Sequence, residues 1–329
     1  MFNKIICSIS MLSMILNPLN LYNFETNEYK DMSVNPVIVD LDMCSDVDDV
    51  VAVRMATTLD SMHVCTIEGM CLSITSNKGN HEEVKALHGL LSYDGYGNIP
   101  IGIDSVNYVD EEYSKYWDTL MQYSTTQYTS KDSVELYKEV LKKCYNKVTI
   151  ITTGYLTNIK KLIEDEEGYE LMKNNCERLV ITGGSFEDGW DNNFGFYSGA
   201  AEAISYVNSN CPCQILYVPN NIANEIKAGN IIQKSNPNDP VAQALKAWGT
   251  EDGRAGWDPF AVLVGVLPED VLNLNYNYID AYVDSKTGKH IFIKTDSNTN
   301  IRVCEKKENI TTKQYQDLVE GILGYTYSN

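Results

Sequence analysis

The sequence predicts an α/β fold: an open, mostly parallel sheet with helices on both faces and a small antiparallel addition near the C-terminus. Two patterns carry that expectation. Short, continuously apolar segments alternate with longer amphipathic ones along most of the chain, as strands buried on both faces alternate with the helices that cover them. Beyond residue 276 the rhythm changes to strand-like segments spaced by turn residues. In order, residues 36–39 read as a short buried strand, and the segment after Asp46 reads as a helix to about Leu59. Residues 67–74 form a second strand, followed by a helix over 79–92 and a third strand over 99–103. An amphipathic helix over 131–145 feeds a strand at 148–152; a helix at 156–163 precedes a strand at 179–182. A helix over 197–207 leads into a strand at 214–218. Residues 277–283, 290–294 and 301–304 supply the antiparallel addition before a last helix. No repeat or change of composition marks a second domain, so residues 36–329 read as one Rossmann-like domain behind a leader of residues 1–35.

That leader has the layout of a secretory signal, with Lys4, an apolar run over 5–16 and a helix break at Asn17-Pro18. The run is too short to span a bilayer, so the expectation is secretion without stable membrane association, with a cytoplasmic protein as the alternative. With 45 acidic against 26 basic residues the formal charge is −19, which opposes binding to nucleic acid or anionic lipid. Nine cysteines include one close pair, Cys211-Pro-Cys213, and no histidine cluster completes a zinc site around it.

In open parallel sheets, ligands bind beyond the carboxyl ends of the strands. The first strand runs directly into Asp40, Asp42, Asp46, Asp48 and Asp49, five carboxylates within ten residues. Helix capping uses one or two aspartates; five on one turn need a cation or a helix N-terminus to offset them. With oxygens as the donors, a hard cation such as calcium or magnesium is expected. Thr153 and Gly154 follow the 148–152 strand, where glycine permits a sharp turn that exposes a carbonyl. Asp258 precedes Pro259 at a helix start and, taken alone, reads as an N-cap.

These three segments together resemble the nucleoside hydrolase family of the inosine–uridine type, over nearly the whole chain from about Val37. Asp40, Asp42, Asp48 and Asp49 match the family's Asp-x-Asp…Asp-Asp motif, Thr153 to Asn158 its Thr-Gly-x-Leu-Thr-Asn loop, and Asp258-Pro259 its late Asp-Pro pair. The resemblance implies hydrolysis of the N-glycosidic bond of ribonucleosides, with a calcium ion held by Asp42, Asp49, the Thr153 carbonyl and Asp258, and a water deprotonated by Asp42. It implies that Asp48 and Asn80 hold the ribose, and an ungapped match to a further segment adds Asp191 and Asn193. Asp40 and Asp46 join these as substrate-binding candidates, because the acidic motif is longer than the common form and either Asp46 or Asp48 can face the ribose. Family members often assemble as homodimers or homotetramers, and the same is expected here.

Two departures bear on the base. Trp257 stands where many members have a histidine that protonates the leaving base; tryptophan cannot, but it can stack on a purine or simply pack the helix start. Asp191 replaces a glutamate, behind a short loop that contains Trp190. These departures keep a second function in play, a nucleoside-binding protein that retains the metal without turnover. A phosphatase of the haloacid-dehalogenase type also opens with Asp-x-Asp, but it leaves the Thr153–Asn158 loop without a role, and the negative charge disfavours phosphorylated substrates.

Overall fold

The computed structural model describes residues 34–43, 46–76, 81–104, 108–109, 114–125, 127–187 and 189–325. Residues 1–33 of the leader, Asn80 and Cys44 lie outside the described residues, and Asn35, placed in the leader from sequence, opens the first strand. The chain runs β1 (Asn35–Leu41), α1 (Asp48–Ser61), β2 (Cys65–Leu72), β3 (Thr75–Ser76), α2 (Glu82–Tyr93), β4 (Ile101–Ile103), β5 (Tyr108–Val109), α3 (Trp117–Met121) and β6 (Ser130–Asp132). It continues through α4 (Ser133–Lys143), β7 (Val148–Thr152), α5 (Thr157–Glu164), α6 (Glu166–Asn175), β8 (Cys176–Thr182), α7 (Asn192–Gly195), α8 (Ala200–Asn210), β9 (Gln214–Val218) and α9 (Asn220–Ala223). The last third comprises β10 (Lys227–Ala228), α10 (Asn230–Ser235), α11 (Pro240–Trp248), β11 (Arg254–Ala255), α12 (Trp257–Val266), β12 (Leu274–Val283), β13 (His290–Lys294), β14 (Ile301–Lys306) and α13 (Thr312–Leu323).

Ten strands form the main sheet in the order β13-β12-β14-β9-β8-β7-β1-β2-β4-β6. From β14 to β6 every neighbouring pair is parallel. One expectation changes in detail. The segment at 301–304 was expected to be antiparallel, but β14 lies parallel against β9, with Ile301 opposite Ile215. Its side chains Ile301, Val303 and Cys304 are buried, so it joins the core sheet, and β12 and β13 alone form the antiparallel edge. The sequence pattern also missed β6, α6 and α10, which are short or mostly polar, and α11, a largely apolar helix that buries Val241, Ala244 and Leu245.

Strand alternation divides the core in two. Val37, Val39 and Leu41 of β1 face a cluster that includes α1, α12 and α13, while Ile38 faces the opposite cluster with Tyr137, Ile150 and Ile215. Helix α1 is buried from Asp48 through Leu59, and α12 from Asp258 through Val266. The two helices pack on each other, so both N-termini open at the same end of β1. No described helix is long and apolar enough to cross a membrane.

The interior of α1 carries one cation. Arg54, 8% exposed, donates from Nε to Asp94 at 3.0 Å and pairs two-pronged with Asp239 at 3.0 and 3.1 Å. Asp94 closes α2 and Asp239 caps α11, accepting from the Val241 amide at 2.9 Å, so the guanidinium ties three helices at one point. Deleting one side of such a buried group leaves the other unpaired, which costs about 3–5 kcal/mol. Arg54→Met is expected to lower unfolding free energy by about that amount, read as a lower urea midpoint with an unchanged slope; a loss under about 1 kcal/mol overturns this account of α1.

Candidate active site

The cleft lies beyond the carboxyl ends of β1, β7 and β8, with a volume of about 280 Å³. Its walls include Asp42, Asp46, Asp48, Thr153, Thr182, Trp190, Asp191, Asn193, Asn220, Trp257 and Asp258. β1 delivers Asp42, the first turn of α1 delivers Asp48 and Asp49, and the first turn of α12 delivers Asp258. Both helices direct the positive ends of their dipoles at this point, which suits negative charge.

Asp48, Asp49 and Asp258 each bring a carboxylate oxygen within 4.8 Å of the others. Asp42, 3% exposed, adjoins Asp49, and its negative charge helps raise the Asp49 carboxyl. Burial, then the neighbouring carboxylates, pushes Asp48, Asp49 and Asp258 well above the ordinary carboxyl range. One oxygen of Asp49 accepts from the Thr153 hydroxyl at 2.9 Å, whereas the other, Oδ2, is buried without a hydrogen-bond partner. A buried, unpartnered carboxylate oxygen among three other carboxylates fits a cation, and the all-oxygen donor set fits calcium or magnesium.

The loop after β7 is fixed tightly. The Thr153 amide donates to the Asp40 carbonyl at 2.8 Å, and the Thr153 carbonyl accepts from Asn193 Nδ2 at 2.7 Å. A Cβ on Gly154 would stand 2.5 Å from Ser73 Oγ and 2.8 Å from Asp42 Cβ, so no other residue fits at this turn. Asp191 caps α7 through the Asn193 amide at 2.9 Å, and its second oxygen accepts from Asn220 Nδ2 at 2.7 Å. Burial raises the Asp191 carboxyl in spite of these donors.

Of the residues singled out from sequence, Asp42, Asp46, Asp48, Thr153, Asp191, Asn193, Trp257 and Asp258 line one cleft, and Asp49 is buried beside them. Asp40 is not among the lining residues. It is fully buried on the other face of β1, where its Oδ2 accepts from Tyr137 at 2.6 Å and Asn158 at 3.0 Å. Burial lifts its carboxyl to about 7 against those donors. Asp46 is gripped by Arg254, with contacts of 2.6, 3.0 and 3.1 Å, while Asp48 stays with Asp49 and Asp258 in the acidic cluster. Trp190 forms part of the wall and Tyr197 does not; Tyr197 packs edge-on against Tyr155. Thr182, with a buried and unpartnered hydroxyl, and Asn220 went unnoticed in the sequence. Their signal was position: Thr182 ends β8, and Asn220 follows β9 by two residues.

The profile of the family described as inosine-uridine preferring nucleoside hydrolase matches residues 37–314. Among solved structures, an inosine-uridine preferring nucleoside hydrolase from Bacillus anthracis superposes with a TM-score of 0.67 at 15% identity, covering 88% of this chain and 99% of that one. The purine-preferring ribonucleoside hydrolase from Gardnerella vaginalis gives 0.65 at 17%, covering 88% and 99%. The type III effector protein XopQ, solved with adenosine diphosphate ribose, gives 0.68 at 11%, covering 97% and 98%. At these identities the superpositions speak for the fold. No curated protein sequence matches the chain.

The carboxylate crowding predicts an inverted response to mutation. In chelator, Asp258→Asn removes a repelling charge and is expected to raise the melting temperature by about 1–2 °C, for a gain of about 1 kcal/mol. The same variant is expected to lose the rise in melting temperature that calcium gives the parent. A variant less stable than the parent in chelator, or one stabilised by calcium as fully as the parent, contradicts the assignment.

Proposed function

From the premise that this chain belongs to the inosine-uridine preferring nucleoside hydrolase family, whose members are N-ribosyl hydrolases, we propose that it cleaves ribonucleosides to ribose and free base with the help of a calcium ion. The observation that carries the metal-dependent reading is the buried, unpartnered Asp49 oxygen inside the cluster with Asp48 and Asp258. Asp42, Asp49, Asp258 and the Thr153 carbonyl are the donors that would hold the ion, with Asp48 adjoining them. When bound, such an ion offsets the carboxylates' repulsion and acidifies a water in the cleft.

The protein's own groups then do the following. Asp42 takes the proton of the water that attacks the anomeric carbon. Asp48, Asp191 and Asn193 hold the ribose hydroxyls, which fixes the ring for attack. As the C–N bond breaks, its electron pair leaves with the base and positive charge grows on the ribose, where the surrounding carboxylates stabilise it. Trp257 stacks on the departing base. A water supplies the new hydroxyl on ribose; its proton passes to Asp42 and then by way of solvent to the nitrogen of the departing base, so ribose and neutral base account for every atom without a redox partner.

A second reading, a riboside-binding protein that keeps the metal and lacks turnover, draws on one observation. Among the described residues lining the cleft there is no histidine, lysine or tyrosine to protonate a leaving base. Incubation with inosine, uridine, adenosine and guanosine, with calcium or chelator, separates the two by assay of free ribose. Calcium-dependent release is expected, with Asp42→Ala lowering kcat by about 10²–10⁴-fold. No ribose from any nucleoside, with calcium still raising the melting temperature, overturns hydrolysis in favour of binding.

A further inference from the structure

Arg254 lies on β11, three residues before Trp257, and none of the roles above uses it. Its guanidinium carbon sits 5.1 Å from the centroid of the Trp257 ring. The same guanidinium is fixed two-pronged on Asp46, with Nη2 to Oδ2 at 2.6 Å and Nε to Oδ1 at 3.0 Å. The indole edge is tied as well, since Trp257 Nε1 donates to Asn224 Oδ1 at 2.6 Å. Trp257 and Asp46 both line the cleft, so this chain of contacts runs along its rim from the acidic loop to the start of α12. A planar guanidinium backing an aromatic face is a favourable arrangement, and its pairing with a carboxylate makes it a rigid one.

We propose that Arg254 is a positioning residue for the base of the substrate: held by Asp46, it backs one face of Trp257 and so fixes the indole as the wall on which a flat heterocycle stacks. The inference rests on the nucleoside-cleaving reading and adds to it a residue that acts through another. The indole has its edge held by Asn224 and is backed by Arg254, it packs against the core on its buried side, and the part that lines the cleft is the part a ligand meets. Without the guanidinium the ring can rotate, and the leaving base loses its fixed orientation. Arg254 touches neither the ribose nor the carboxylates Asp49 and Asp258 in this account, and its charge beside Asp48 is kept in Arg254→Lys, so the loss that vanishes when the indole is absent is the part that runs through Trp257.

A double-mutant cycle on the full chain tests this, using Arg254→Met, Trp257→Leu and the double variant, with calcium present and inosine as substrate. Arg254→Met is expected to lower kcat/KM about tenfold in the parent and less than about twofold in the Trp257→Leu background. Each variant's calcium-induced rise in melting temperature serves as the check on folding and on the metal site, and it is expected to be unchanged. Arg254→Lys, which keeps the charge but not the planar fork, is expected to recover only part of the loss. Equal losses with and without the indole, or no loss at all, overturn the inference while leaving hydrolysis intact. If no ribose is released, the same cycle is read in the Kd of inosine by calorimetry, so coupling through Trp257 still decides. A protein that neither cleaves nor binds inosine, uridine, adenosine or guanosine refutes the parent function and this inference together.

Discussion

Four carboxylates held where they cannot move apart govern the rest of this molecule. Two unit charges 4 Å apart repel by about 4 kcal/mol at an effective dielectric of 20, and the interior here is drier than the surface. Asp42, Asp48, Asp49 and Asp258 come from the end of β1 and from the first turns of α1 and α12, all anchored in the core. Neither helix can slide to relieve the strain, because both are buried over nearly their full length. The repulsion must therefore be met in place. The Thr153 hydroxyl and the helix dipoles meet part of it, and the remainder shows as carboxyls pushed well above their ordinary range, a setting that a cation would relieve.

Below the cleft, a second layer of polar contacts sets the positions of the first. Asn158 donates to the Asp40 carboxylate at 3.0 Å and to the Leu72 carbonyl at 3.1 Å, and accepts from Ser133 at 2.6 Å. Thr157 donates to the Ser73 carbonyl at 3.2 Å, and Ser73 Oγ receives the Tyr155 amide at 3.0 Å. The loop after β7 is thereby bound to the ends of β1 and β2. This explains why the first aspartate of the acidic motif and the last asparagine of the loop motif belong together although 118 residues separate them. Asp40 serves the site from beneath, by holding the loop that carries the Thr153 carbonyl. A buried carboxyl at about 7 suits that task, because a proton on it costs little while its hydrogen bonds persist.

What could be read from the sequence follows from the same division. The parallel strands announced themselves because burial on both faces requires unbroken apolar runs, and β7 and β9 were located to the residue. The carboxylates on β1, α1 and α12 were legible because like charges rarely crowd without cause. Elements whose formation depends on tertiary partners gave little signal: α6 is mostly polar, and β6 is a three-residue edge, Ser130–Asp132, paired to β4. Hydrogen-bond partners were the least legible. Nothing in the local sequence says that Arg254 reaches back 208 residues to Asp46, or that Asn220 supports Asp191. Such pairs depend on strand order, and the order of this sheet is not the order of the chain.

The departures from the family pattern fall on the side of the cleft that would meet the base, and the chemistry gives a reason. Attack at the ribose carbon needs the carboxylates, the ribose grip and the water within a fraction of an ångström of one arrangement, so those positions have little freedom. The base is a flat ring that leaves with an electron pair, and it can be assisted by a proton donor or by a stacked aromatic surface. In the proposed stacking role, Trp257 in place of histidine moves that assistance from proton transfer to stacking. Stacking acts only if the aromatic ring is held still, because a mobile ring gives back in entropy what it gains in contact. Trp257 is held at its edge by Asn224 and on its face by Arg254, and Arg254 is held in turn by Asp46. The lengthened acidic motif thus acquires a purpose: the added aspartate, Asp46, anchors the cation that steadies the ring, while Asp48 remains with Asp258 in the depth of the cleft.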